Sequence, residues 1–82
     1  AYLYYDRANL YAASKDYGKA LADYDKAISI DGRLAEADYN RGMVRVFAGN
    51  VEQGVADLSK AGELGLVDAY VAIKKYGNKK GK

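Results

Sequence analysis

Shifted so that Ala1 lies on Ala35, the chain falls on itself. In that shift Tyr5 meets Tyr39 and Arg7 meets Arg41. Further along, Ala22-Asp23 meets Ala56-Asp57, and Lys26-Ala27 meets Lys60-Ala61. Ala35 falls once more on Ala69. A period of this length marks a stack of similar supersecondary units, each burying its apolar face against its neighbours. The 82 residues hold two such units and the beginning of a third within a single domain.

Each unit reads as a pair of helices, because apolar and small residues recur at helical spacing. The stripes run Leu3, Leu10, Tyr11, Ser14 with Tyr4 and Ala8 beside them; Ala20, Leu21, Tyr24, Ala27, Ile28; Tyr39, Gly42, Met43, Val46, Phe47; Val51, Val55, Leu58, Ala61; and Val67, Tyr70, Val71, Ile73 with Tyr76. No stretch alternates with period two for long enough to be a strand, and there is no Pro. Breaks fall at 14–18, at Asp31-Gly32-Arg33, at Ala48-Gly49-Asn50 and at Gly65. Gly32 suits a left-handed helix end. Asp16, Asn50 and Asp68 are expected N-caps, with Gln53 completing a capping box on Asn50. Five helices are predicted, near 2–14, 18–30, 35–48, 52–64 and 68–76, antiparallel to their neighbours because the connections are short. Residues 78–82 read as a basic flexible tail.

Composition removes several chemistries. With no Cys and no His, disulfides, the usual zinc, haem and iron–sulfur ligands, imidazole acid–base catalysis and thiol nucleophiles are all excluded. No cofactor is expected. The apolar runs are too short to span a membrane. No basic segment followed by an apolar one opens the chain, so cytoplasmic is the default expectation. Lys74, Lys75, Lys79, Lys80 and Lys82 carry five of the 13 positive charges, so the chain ahead of them is slightly acidic, with 11 negative charges against 8 positive. That distribution argues against a nucleic-acid footprint spread over the fold. Asp23 and Asp25, two apart on a helix, do not face each other as a catalytic pair would, and Lys19 and Lys26 make Asp23 read as part of a solvated ion-pair face.

Residues 1–34 resemble a tetratricopeptide repeat, a helix–turn–helix unit of this period. That family wants an aromatic at its fourth place, a small residue at the eighth, Tyr at the eleventh, Ala at the twentieth, an aromatic at the twenty-fourth and Ala at the twenty-seventh. Tyr4, Ala8, Tyr11, Ala20, Tyr24 and Ala27 fill all six. Residues 35–68 are looser: Gly42, Leu58 and Ala61 fit, while Asp38, Arg45, Gly54 and Leu66 depart from the pattern. The stretch 60–69 is also similar to a sister family of helical repeats. The resemblance implies an all-α superhelix of five antiparallel helices: repeat one 1–34, repeat two 35–68 and a capping helix 68–77.

The resemblance further implies a protein-interaction module, not an enzyme, with a concave face lined by the first helix of each pair. Carried over to this sequence, that face draws on Tyr2, Tyr5, Asn9, Ala12 and Ala13, then on Glu36, Tyr39, Met43, Val46 and Phe47, and on Tyr70 and Ile73. A protein or peptide partner is expected there. Relatives that clamp a carboxylate place Lys, Asn, Asn and two further cations where this chain has Tyr5, Asn9, Asn40, Tyr70 and Lys74. Two of the three cations are Tyr, so the charge-assisted hydrogen bonds of such a clamp are incomplete. Two other readings stay open: a structural unit that stacks in a longer array or self-associates as a homo-oligomer, and electrostatic binding of nucleic acid or membrane through the lysine tail.

Overall fold

The computed structural model describes residues 2–77; Ala1 and the basic tail at 78–82 lie outside the described residues. Five α-helices follow one another: α1 (Tyr2–Ala13), α2 (Tyr17–Ile30), α3 (Ala35–Phe47), α4 (Val51–Glu63) and α5 (Asp68–Ala72), which runs on as a π-helical turn over Ile73–Gly77. The fold is an all-α helical repeat. α1 packs on α2 and α3 on α4; α2 joins the two pairs by packing on α3, and α5 closes over α4.

The helix ends explain the spacing. α1, α3 and α4 stop in the same way. Lys15, Gly49 and Gly65 take a left-handed backbone (φ 64, 98 and 110°). Their N–H groups donate to Ala12, Val46 and Gly62, and the next residues, Asp16, Asn50 and Leu66, donate to Tyr11, Arg45 and Ala61. This double bond pattern satisfies carbonyls that a helix end otherwise leaves free. α2 ends differently. Gly32 is not left-handed; instead Asp31 is extended and its carboxylate accepts the Arg33 N–H at 3.0 Å. The expected side-chain N-caps are also absent: neither Asp16 nor Asn50 makes one, and Asn50 donates to the Gln53 side chain in place of the reciprocal capping box. Val67, not Asp68, precedes α5.

Because α4 stops on Gly65 where α2 stops on Asp31, the third unit starts early. Ala37 donates to Leu34, and Ala69 donates to Leu66 in the equivalent bond. The sequence repeat would have placed that second bond two positions later, at Val71. The register of α5 therefore slips by two. Ala69 and Ala72 are buried, whereas Val67 and Val71 of the expected stripe are exposed.

Small residues set the helix separations. In the first pair Ala8 and Ala20 are fully buried, beneath Tyr24, and Tyr4 and Tyr11 pack half-buried against this core. In the second pair the same places hold Gly42 and Gly54, and α3 and α4 meet backbone to backbone. A β-carbon on Gly54 would lie 2.6 Å from the Gly42 carbonyl oxygen, and one on Gly42 would lie 2.7 Å from that of Gly54. The Tyr70 ring covers Gly62, so the two glycines inside α4 make room for different neighbours: Gly62 for α5, Gly54 for α3.

An ion-pair ladder recurs with the same period. Arg7 donates through Nε and Nη2 to both oxygens of Asp23, at 2.7 and 3.0 Å. Arg41 does the same to Asp57, at 2.9 and 2.8 Å. Arg45 adds a bond to Asp57 at 2.8 Å. Asp23 is thus buried against α1 instead of lying on a lysine-flanked solvated face, and Arg7 holds its carboxyl below the usual carboxylate range through these hydrogen bonds. Burial opposes the charge of Arg41, but the bonds to Asp57 and Asp25 outweigh it and raise its pKa.

Asp38 stands where the first repeat has Tyr4, and it is buried with Oδ2 unpartnered. Arg41 approaches the other oxygen at 3.9 Å. Burial raises its pKa; Lys60 and Arg41 act in the opposite direction, and Asp57 adds to the rise. An acid whose folded pKa is raised destabilises the fold above that pKa, and the cost is relieved as pH falls through it toward the unfolded value. Asp38→Asn is therefore expected to stabilise the protein at pH 7 by about 1 kcal/mol, with the gain fading by about pH 4. Urea melts at the two pH values measure it.

Candidate binding face

α1 and α3 lie side by side, and their facing residues form a polar network over a buried aromatic. The Tyr24 hydroxyl donates to Asn9 Oδ1. Asn40 Nδ2 donates to the same oxygen at 3.0 Å and to the Tyr5 hydroxyl at 3.1 Å. Burial pushes the Tyr24 hydroxyl up to about 12, so it remains a donor at all physiological pH. Both amides are consequently fixed in orientation. Asn9 keeps its NH₂ and Asn40 its carbonyl oxygen without a partner among the described residues. The Tyr5 ring is tilted against Tyr24 at 6.3 Å, and Tyr2 stands edge-on to Tyr5 at the same distance.

Two cavities lie along α3, and Asn9, Asn40 and Tyr24 of this network wall the first of them. The first, about 380 Å³, is walled by Asn9, Ala12 and Ala13 of α1, by Tyr17 and Tyr24 of α2, by Asn40, Met43, Val44 and Phe47 of α3, and by Lys15. The second, about 300 Å³, lies between α3 and α5, among Tyr39, Met43, Asp68, Val71, Ala72, Lys75 and Tyr76. Met43 borders both, and Phe47 stands edge-on to Tyr76 at 5.9 Å.

The residues singled out from the sequence divide into two groups. Asn9, Asn40, Met43 and Phe47 line the first cavity, Tyr39 and Met43 the second, and Tyr5 joins through its bond to Asn40. Tyr2 is exposed at the edge of this group. Tyr70 and Lys74 line neither cavity: the Tyr70 ring lies on Gly62 of α4, and Lys74 is exposed. The cause is the slip of α5 by two, which turns Val71, Ala72 and Lys75 toward α3 in their place. Tyr17 and Val71 were not legible as site residues. The missing signal for Val71 was the different bond pattern of the α4–α5 turn, which turns on a left-handed Gly65.

Residues 1–34, the whole of the first helix pair with its following turn, match the family model of the tetratricopeptide repeat. The chain carries a tetratricopeptide repeat. No curated protein matches it. The tetratricopeptide repeat is generally a protein-interaction module, and its family is a scaffold family without enzymatic activity. Such a repeat suggests protein partners, and no described helix is long and apolar enough to cross a membrane. The second pair reproduces the geometry of the tetratricopeptide repeat before it: the Arg–Asp fork recurs between the equivalent residues, and places eight and twenty again hold small residues in contact.

Proposed function

We propose that this chain holds an extended segment of a protein partner across α1, α3 and α5. The observation that carries the reading is the locked pair of asparagines. Asn9 offers amide donors and Asn40 an amide acceptor, side by side and already oriented by Tyr24 and Tyr5. That pair complements a peptide group, which has one acceptor and one donor. A partner in extended conformation keeps such groups free, whereas a helix uses them internally.

The aromatic and thioether walls on either side supply apolar contact. Tyrosines give large contact area with little rotamer entropy to lose, and Met43 between the cavities adapts to different side chains. The partner's side chains enter the two cavities while its backbone crosses the asparagines. On α5 the contacts come from Val71, Lys75 and Tyr76.

Ala13 provides the test. It is exposed at the rim of the first cavity and packs in no core, so Ala13→Arg fills the cavity without loosening the fold. The variant is expected to melt like the wild type and to bind a peptide selected on the wild-type protein at least about 10-fold more weakly. Equal affinity for both proteins removes the first cavity from the binding face.

A further inference from the structure

The turns after α1 and α3 stand at the same place one repeat apart and make the same two bonds. Lys15 and Gly49 donate to Ala12 and Val46, and Asp16 and Asn50 donate to Tyr11 and Arg45. Both turning residues are left-handed, Gly49 at φ 98° and Lys15 at φ 64°. Glycine takes that conformation freely, whereas a β-carbon crowds the neighbouring carbonyl. Among the described residues Lys15 is the one non-glycine with a positive φ. The first turn thus holds a lysine against the preference of its backbone, and strain of this kind collects at functional positions.

The lysine side chain does nothing visible for the fold. Lys15 is exposed, and its ammonium meets no carboxylate and no ring among the described residues. Lys19, four residues on, has both: Asp16 at 3.8 Å and the Tyr11 ring at 5.6 Å. What Lys15 does border is the first cavity, and it is the one charged residue in that wall. The second cavity differs, since it has Asp68 as well as Lys75, and Lys75 lies over the Tyr76 ring at 5.4 Å. The first cavity is therefore cationic and the second is balanced.

We propose, resting on the peptide contact above, that the side chain entering the first cavity is acidic, Asp or Glu, with Lys15 as its counterion. A carboxylate that leaves water for a wall of alanines, Met43, Val44 and Phe47 requires an opposite charge, and Lys15 is the cation placed to supply it. Lys15 is none of the positions carried over from carboxylate-clamping relatives, which are Tyr5, Asn9, Asn40, Tyr70 and Lys74. What it meets is a side chain of a crossing segment, not a chain end.

Peptides selected on the wild-type chain from a displayed random library test this, resynthesised with an acetylated amino end and an amidated carboxyl end so that side chains alone carry charge. The selected peptides are expected to share an Asp or Glu at one position. Replacing it by Asn or Gln is expected to weaken binding to the wild type at least about 10-fold, the effect of one charge-assisted contact. Lys15→Gly is expected to bind the acidic peptide at least about 10-fold more weakly than the wild type does, and to bind the acidic and amide forms within about 2-fold of each other. Lys15→Arg is expected to restore the preference for the acid. Lys15→Gly is also expected to melt about 2–5 °C higher, because glycine relieves the left-handed turn, so its lost affinity is not a lost fold. Selected peptides with no acid in common overturn the inference, as does equal affinity of the acidic peptide for the wild type and Lys15→Gly. So does a Lys15→Gly that melts lower, which makes the side chain part of the fold. The side-chain amide NMR signals of Asn9 and Asn40, followed in the same titration, separate the two readings. If they shift while Lys15→Gly binds normally, the peptide contact stands and the acidic preference falls. If they stay unmoved, the peptide contact fails and the acidic preference falls with it.

Discussion

Asp57→Ala is expected to destabilise the protein by about 3–5 kcal/mol, the cost of removing one member of a desolvated ion-pair cluster. Asp57 is buried and accepts from two arginines, Arg41 and Arg45, in three bonds of 2.8–2.9 Å. Without it, Arg45 loses the carboxylate it bonds, and Arg41 keeps Asp25 and the longer contact to Asp38. Two cations then stand 18% and 22% exposed beside α4. Asp23→Ala is expected to cost less, because Arg7 in the equivalent place reaches water. Chemical denaturation of the two variants measures the difference, and equal losses would mean that the second pair gains nothing from its additional arginine and closer packing.

Gly54→Ala is expected to destabilise by about 2–3 kcal/mol, although Ala is the better helix former by about 1 kcal/mol. The added methyl meets a backbone carbonyl of α3, the α3 backbone nitrogen at Val46 and a Val46 methyl, at 2.6–3.0 Å. Backbone atoms cannot swing aside, so α3 and α4 must separate along their length. Gly62→Ala in the same helix provides the control. The atoms nearest its methyl all belong to the far end of the half-exposed Tyr70 ring, which can rotate away. That variant is expected to be neutral or slightly stabilising. Thermal melts of the pair read the contrast directly, and a Gly62→Ala loss as large as that of Gly54→Ala would show that α5 is held as firmly as α3.

Much of this architecture was readable from the residues. The period gave two helix pairs and a third beginning. Glycine and aspartate breaks placed every helix within a residue or two, apart from the π-helical end of α5. Ala8, Ala20, Tyr24 and Ala27 fell in the core as their spacing required. The misreadings share a cause: a face can be found from periodicity, but what lies against it cannot. Leu3 and Leu10 form an apolar stripe like any other, and only the structure leaves it bare. Asp23 was read from its sequence neighbours, whereas its partner is Arg7, 16 residues away. The signal was available, since Arg7 and Asp23 both recur one repeat later, as Arg41 and Asp57. Opposite charges repeating together at fixed separation point to a pair.

The candidate binding face was legible in part for the same reason. Asn9, Asn40, Tyr39, Met43 and Phe47 sit on helices whose register the repeat sets, and they line the cavities. Tyr70 and Lys74 were placed by extending the sequence period through a turn after which the first bond of α5 comes two positions early, so α5 presents its neighbouring face. The local bond pattern at Gly65 decides that register.

The proposed function rests on where a partner lies. The most direct measurement is a backbone and side-chain amide NMR titration of the isotope-labelled chain with a selected peptide ligand. The account predicts the largest shifts at the side-chain amides of Asn9 and Asn40 and at the backbone of Ala13, Met43 and Phe47, and none on the outer face of α1 at Leu3 and Leu10. Shifts confined to α2 and α4, with both asparagine side chains unmoved, would contradict it.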